Sequence, residues 1–153
     1  MALDCCIALE FSNVVCWGSC LCLIPSADPM STLPPLTPET FWAILNDTLD
    51  DDTTNRLVWH YLGYRWDADT GQWDVSQVDP DWRQSYPEPP DFIASRPATV
   101  KLTRSIPAEN KQLLKEQLGF PGYTVNELIP RKTRRATITN WLLSYLRQYP
   151  AAQ

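Results

Sequence analysis

The chain has 153 residues, of which 44% are hydrophobic and 20% are charged, close to the composition of ordinary globular proteins. These values exclude a wholly disordered chain and a collagen-like repeat, and the length favours one domain. Fourteen prolines against five glycines predict short elements joined by stiff connections, because proline interrupts helices and central strands. The sequence has no phosphate-binding glycine loop and no Walker sequence.

The net charge of −5 is unevenly distributed along the chain. Residues 37–100 carry twelve acids and four arginines, whereas residues 101–153 carry nine bases and three acids. This polarity predicts either two oppositely charged faces or two halves that attract each other in the folded protein. The overall acidic balance argues against nonspecific polyanion binding as the main function.

The beginning of the chain differs in composition from the rest. All five cysteines lie between Cys5 and Cys22, and the run from Cys5 to Ile24 has one charged residue, Glu10. The run is barely long enough for a membrane helix, and it lacks the basic start of a signal peptide. Its cysteine spacings do not match a zinc site.

We interpret residues 1–31 as a non-core N-terminal extension, which a mis-assigned start codon upstream of Met30 would explain. A cleaved targeting segment, a membrane anchor, and acylated or metal-binding cysteines stay open as alternatives. Residues 32–149 are expected to form a single globular domain.

The first predicted helix follows Thr37, a typical N-cap residue, with Pro38 at the first helical position. Phe41, Leu45 and Leu49 give this helix an apolar stripe at helical spacing.

The three consecutive acids at 50–52 predict the end of this helix and the cap of a second one, over about 53–62, which Gly63 terminates. Residues 64–73 then predict a β-hairpin in which Trp66 and Trp73 pair across the strands.

Asp79 and Pro80 open a short predicted helix. The alternating segment Thr99–Ile106 predicts a β-strand. A further helix is expected from near Pro107 to Gly119, with Ser105 as its cap.

Thr124 and Glu127 match a capping box for a short helix. The last helix is predicted over about 132–148, where the apolar spacing is the clearest periodic signal in the chain. The expected fold is therefore an α+β, helix-dominated single compact domain with a small β-hairpin.

Candidate catalytic and metal-binding residues are few. His60 is the single histidine and has no nucleophile motif around it, so we interpret it as structural. The segment Asp67-Ala68-Asp69-Thr70-Gly71 departs from a calcium loop in its glycine position, and a hairpin turn explains it better. The acids at 50–52 are better explained as helix caps than as Mg²⁺ ligands.

A hydrolase that uses the Asp- and Trp-rich middle, from Asp67 to Trp82, stays an open alternative. We expect no catalytic residue, no cofactor and no metal site, and the enzyme question stays open with a non-enzyme favoured.

The most suggestive local feature is the basic cluster of Arg131, Lys132, Arg134 and Arg135. It lies at the predicted start of the last helix, where the helix dipole disfavours cations, so something must compensate the charges. The chain's own acidic half, an acidic protein partner and a nucleic-acid backbone are the alternatives. We take these four residues as a candidate partner-binding site.

Five segments of the chain carry a resemblance to a known family. They are Leu57–Trp73, Tyr86–Ile93, Ser95–Phe120, Thr133–Ala136 and Asn140–Tyr145. These segments resemble a family of uncharacterised cyanobacterial and plastid proteins, catalogued as domain of unknown function eighteen-twenty-three (DUF1823).

The resemblance extends from about Thr37 to Arg147 and implies a biological context without a chemistry. It implies a small soluble protein of the cyanobacterial cytoplasm or the plastid stroma, with no membrane span in the core domain and no catalytic residues to carry over. We therefore expect an accessory or interaction protein that binds an unidentified protein partner through charge-polarised surfaces. Nucleic-acid binding through Arg131–Arg135 is the first alternative, and the hydrolase is the second.

We predict that deleting residues 1–29 leaves the stability of the domain almost unchanged, because the apolar run there has neither a helical nor a strand period. Thermal melts of the full chain and of a chain that starts at Met30 should agree within about 2–4 °C, the shift that about 1 kcal/mol produces. A much larger drop would show that the N-terminal segment packs into the core.

Overall fold

Six helices and one β-hairpin make up the part of the chain that the computed structural model describes, residues 32–152. In chain order these elements are α1 (Pro38–Leu45), α2 (Asp51–Leu62), β1 (Arg65–Asp67), β2 (Gln72–Asp74), α3 (Pro80–Ser85), α4 (Arg96–Ser105), α5 (Leu113–Leu118) and α6 (Pro130–Gln148). Short 3₁₀ turns occupy Ala108–Asn110, Val125–Glu127 and Pro150–Ala152. This confirms the predicted helix-dominated α+β class, while the prediction for residues 1–31 lies outside the described residues.

Helix α6 is central, since it lies against α1, α2, α4 and α5. The largest fully buried apolar side chains of the domain come from these helices and from the connections between them. They include Ile44, Leu45, Leu57, Val58, Tyr64, Phe92, Leu102, Leu113, Ile138 and Leu142.

Local hydrogen bonds start three of the helices where the sequence predicts. The side chain of Thr37 accepts from the backbone N–H of Thr40 at the start of α1. Asp50 accepts from the N–H of Thr53 at 2.7 Å and caps α2, which begins two residues earlier than predicted. Asp79 caps α3 in the same way. These caps satisfy donors that the first helical turn leaves without partners.

The predicted β-hairpin is confirmed, with Trp66 directly opposite Trp73 in an antiparallel pair. The two rings meet edge to face, with centroids 5.3 Å apart. The carboxylate of Asp67 accepts from the N–H of Asp69 and from the hydroxyl of Thr70, which fixes the turn.

The predicted strand Thr99–Ile106 is wrong, because Thr99–Ser105 belongs to helix α4 and Ile106 is the C-cap of that helix. Ser95 caps the helix and Pro97 occupies its first turn, which is a helix-start signal that the alternating pattern obscured. The hydroxyl of Thr99 donates to the carbonyls of Phe92 and Ser95, so a β-branched residue is accommodated in the helix.

The predicted helix from Pro107 to Gly119 is interrupted. Pro107 precedes the 3₁₀ turn Ala108–Asn110, and α5 follows and ends at Gly119 in a left-handed conformation. Ser105 is the last residue of α4 and not a cap, because its hydroxyl donates back to the carbonyl of Leu102. The capping box of Thr124 and Glu127 is confirmed, on a 3₁₀ turn.

The middle of α6 holds these interrupted turns through buried polar side chains. Asn140 accepts from the N–H of Leu114 at 3.1 Å and donates to the carbonyl of Asn110 at 3.1 Å. The side chain of Asn110 donates in turn to the hydroxyl of Ser144 at 2.9 Å. Backbone groups that the broken helix leaves without partners are thereby satisfied inside the protein.

We predict that Gly63→Ala destabilises the domain much more than Gly119→Ala. Both glycines have positive φ, +104° and +65°, where a side chain costs about 1–2 kcal/mol. At Gly63 a Cβ would also lie 2.5 Å from the carbonyl oxygen of Gln77, whereas at Gly119 it would meet no atom within 4 Å. Urea unfolding of both variants measures the difference, and equal losses would contradict the close approach at Gly63.

Candidate functional site at the start of α6

Arg131 is bound by two acids from the α1–α2 region. Its Nε donates to Asp51 Oδ2 at 2.7 Å and its Nη2 donates to Asp51 Oδ1 at 2.9 Å, while Nη1 pairs with Asp47. The hydrogen bond from Arg131 holds the pKa of the Asp47 carboxyl below its usual range, and the two carboxylates raise the pKa of Arg131. The side chain of Arg131 is 42% exposed, and its guanidinium makes a bidentate pair with Asp51.

Arg135 is fully buried, one helical turn further along α6. Its guanidinium donates to the carbonyl of Ile44 at 2.9 Å, to the carbonyl of Leu49 and to Asp51. It therefore ties α6 to the end of α1 and to the start of α2. A buried arginine with three acceptors is held by its hydrogen bonds and cannot face a partner.

Lys132 and Arg134 also make internal contacts. The Nζ of Lys132 lies 3.6 Å from Glu127 Oε1 and 5.5 Å from the centre of the Tyr123 ring. Arg134 Nη1 donates to the carbonyls of Ile93 and Ala94 at 2.6 and 2.8 Å. The chain's own atoms thus contact all four predicted basic residues, which is one of the alternatives that the sequence leaves open.

The turn that Arg134 binds is fixed by Asp91. Its carboxylate accepts from the N–H groups of Ile93 and Ala94 and from the side chain of Asn55. Partial burial acts to raise the pKa of Asp91, but these hydrogen bonds and the nearby charge of Arg134 outweigh it and lower the pKa. The Arg134 guanidinium is consequently held in one place, with Nε and Nη2 making no hydrogen bond to the described residues.

An apolar ridge precedes α6 and is formed by Val125, Leu128 and Ile129. These side chains are 84%, 55% and 46% exposed. Among residues 32–152, they are three of the five large hydrophobic residues classed as exposed, and they lie within five positions. Isolated exposed apolar residues are ordinary, but a cluster indicates a contact surface.

Two arginines adjoin this ridge. A groove of about 420 Å³ is lined by the two ridge residues Leu128 and Ile129, by Pro130 and Thr133, and by Arg96 and Arg134. Arg96 is exposed and makes no ion pair with any residue that the structure describes.

The start of α6 adds to the positive character of this groove. Ile129 is the N-cap residue and gives no side-chain hydrogen bond to the first turn. The helix N-terminus therefore points its partial positive charge at the end of the ridge. The groove offers apolar surface, guanidinium donors and a helix N-terminus, a set that suits a carboxylate next to an apolar side chain.

The other candidates from the sequence are dispersed. Asp67 and Asp74 bond to their own turns at the hairpin, and Asp69 is exposed. The cleft beside the hairpin is lined by Trp66, Trp73 and Tyr86 among others, but by none of the hairpin acids and not by His60. Within residues 32–152, no three His, Cys, Asp or Glu side chains are placed to hold a metal ion.

The sequence predicted the basic residues of this region as a binding site, but it did not point to Val125, Leu128, Ile129 or Arg96. A signal was present, since three large apolar residues lie in the five positions 125–129, too short and too close to Pro130 for a buried helix. No sequence pattern predicts that Arg96 lies near the ridge, because 29 or more positions separate them. The sequence also predicted a strand where the structure has α4.

The sequence profile described as Domain of unknown function (DUF1823) matches residues 35–147, and the chain therefore belongs to this family. A solved solution NMR structure is similar to it at 65% sequence identity with a TM-score of 0.68. That match covers 76% of this chain and 98% of the other. No curated protein matches the chain. These findings confirm the family resemblance, and they name no activity.

Across residues 32–152, no helix combines the length and the apolar character that crossing a membrane requires.

We predict that Arg135→Met lowers the free energy of unfolding by about 3–5 kcal/mol, because the acceptors that now bind the guanidinium would be left buried without a hydrogen-bond donor. The matched change Arg131→Met, at a half-exposed site, should cost at most about 1 kcal/mol. Urea unfolding at neutral pH measures both. Equal and small losses would show that the buried contacts of Arg135 do not hold α6 to α1 and α2.

Proposed function

We propose that this DUF1823 protein is a non-enzymatic accessory protein that binds an acidic, partly apolar segment of a partner protein. The observation that carries the proposal is the exposed apolar ridge of Val125, Leu128 and Ile129 beside the Arg96–Arg134 groove. Apolar side chains of the partner would cover the ridge, and a carboxylate would bind the two guanidinium groups.

The internal contacts of the basic cluster decide which residues take part. Arg131 and Arg135 are occupied by Asp47, Asp51 and backbone carbonyls, so they position α6. Arg134 lines the groove, and its Nε and Nη2 make no hydrogen bond to the described residues, while Lys132 lies near the ridge and pairs with Glu127. The proposed binding residues are therefore Arg134 and Arg96, with Lys132 nearby.

A protein segment is favoured over a nucleic acid by the apolar half of the surface. A phosphate backbone would bind arginines but would leave Val125, Leu128 and Ile129 exposed, because it carries no apolar side chains. Nucleic-acid binding through Arg131–Arg135 is therefore a competing outcome of the test below. The proposed location, the cyanobacterial cytoplasm or the plastid stroma, rests on the family resemblance alone.

The proposal is tested by affinity capture from a cyanobacterial lysate with the full chain as bait. The double variant Leu128→Ser/Ile129→Ser should capture at least tenfold less of the specific partner. Arg96→Glu should reduce the amount captured and should make capture less sensitive to added salt. Val100→Ser and Arg104→Glu are matched controls on exposed positions of α4 outside the groove, and both should capture the partner normally.

Two results would overturn the proposal. One is a protein captured equally by the wild type and by the double variant. The other is capture that nuclease treatment abolishes, because nucleic acid would then be the ligand.

A further inference from the structure

A second cleft, of about 690 Å³, shares no residue with the groove at the start of α6. It lies where the end of α6 meets the end of α2, the start of α3 and the end of α4. Five of the side chains that line it are aromatic: Tyr61, Trp82, Trp141, Tyr145 and Tyr149.

Four of these rings form a continuous series along the cleft. Tyr145 is central, with its ring centre 5.0 Å from Tyr61, 5.7 Å from Trp141 and 4.7 Å from Tyr149. Tyr149 is 55% exposed, so it extends the series into solvent and contributes little to the core. The exposed part of the Tyr149 ring is therefore available for contact with a ligand.

The charge of the cleft is negative. Asp79 and Asp81 line it and no basic residue does. Asp79 uses one carboxylate oxygen to cap α3, and Asp81 pairs with Lys101 at 2.7 Å at the edge of the cleft. Because Lys101 neutralises Asp81, Asp79 is the carboxylate of the cleft that makes no ion pair with the described residues, and its charge beside aromatic rings favours a cation over phosphates and acidic sugars.

The protein already places one ammonium group on the Trp82 ring, which lies outside the four-ring series. Lys101 Nζ lies 5.1 Å from the centre of the Trp82 ring while it bonds Asp81. An aromatic face and a carboxylate therefore hold a cation in the adjoining cleft between α3 and α4, which shares Asp81, Trp82 and Ser105 with this one. Asp79 and the exposed ring of Tyr149 line the cleft itself, and no lysine lines it.

We propose that this cleft binds the guanidinium or ammonium group of an arginine or lysine side chain from a basic peptide segment. The cation would lie against the Tyr145 and Tyr149 rings and pair with Asp79. Gln77 and Gln148, which also line the cleft, supply hydrogen-bonding groups for the peptide backbone. This site is separate from the proposed acidic-segment site and does not depend on it.

The test titrates the full chain with a short arginine-rich peptide and with the same peptide carrying citrulline, which has nearly the same shape and no charge. The readout is the indole N–H NMR signals of Trp82 and Trp141. We expect the arginine peptide to shift both signals and the citrulline peptide to bind at least tenfold more weakly, with added salt weakening the arginine peptide.

Two variants locate the site. Tyr149→Ala and Asp79→Asn should each weaken arginine-peptide binding at least fivefold, and asparagine keeps the cap of α3 so the fold is retained. Asp69→Asn, an exposed acid on the hairpin, is the matched control and should bind normally. Equal binding of the citrulline peptide, unshifted indole signals at millimolar peptide, or equal weakening by Asp69→Asn would overturn the proposal.

Discussion

The buried guanidinium of Arg135 is the interaction on which the arrangement of the domain depends. Removing an arginine from water is costly, and three acceptors compensate that cost: the carbonyls of Ile44 and Leu49 and the carboxylate of Asp51. These acceptors belong to the end of α1, the connection after it and the start of α2, so one side chain of α6 fixes the relative positions of three helices. The planar, permanently charged guanidinium suits this role better than a lysine would, because it bonds several acceptors at once.

The use of the basic cluster inside the protein changes what the surface can offer. With Arg131 and Arg135 neutralised by acids from the first half of the domain, the charge asymmetry of the sequence is partly cancelled where α6 begins. Two sites remain at the surface. One is the groove that Arg96 and Arg134 line together with apolar residues, and the other is the aromatic cleft that Asp79 and Asp81 line. Both proposed ligands are peptide segments, but of opposite charge.

The sequence predicted those parts of the fold that local interactions decide. The caps at Thr37, Asp50 and Asp79 and the Trp66–Trp73 pair involve residues within a few positions, or across a tight turn. The strand predicted over 99–106 was wrong. Its alternating apolar and polar residues resembled a strand, whereas packing against α6 favours the helix that Ser95 and Pro97 begin. The candidate site was predicted only in its basic residues, since the approach of Arg96 to the ridge is a product of tertiary packing and leaves no local pattern.

The short β-hairpin depends on the helix beside it. Strands of three residues are too short to be stable alone, and here the Trp73 ring lies between Trp66 and Trp59 of α2, with ring centres 5.3 and 5.6 Å away. The indole N–H of Trp59 also donates to the carbonyl of Pro90, so the same side chain anchors the connection before α4. The hairpin can therefore open locally, at a smaller free energy than global unfolding, by separation of the Trp59 and Trp73 rings. Its backbone amides would then exchange with solvent through a fluctuation that leaves α6 and its buried polar contacts closed.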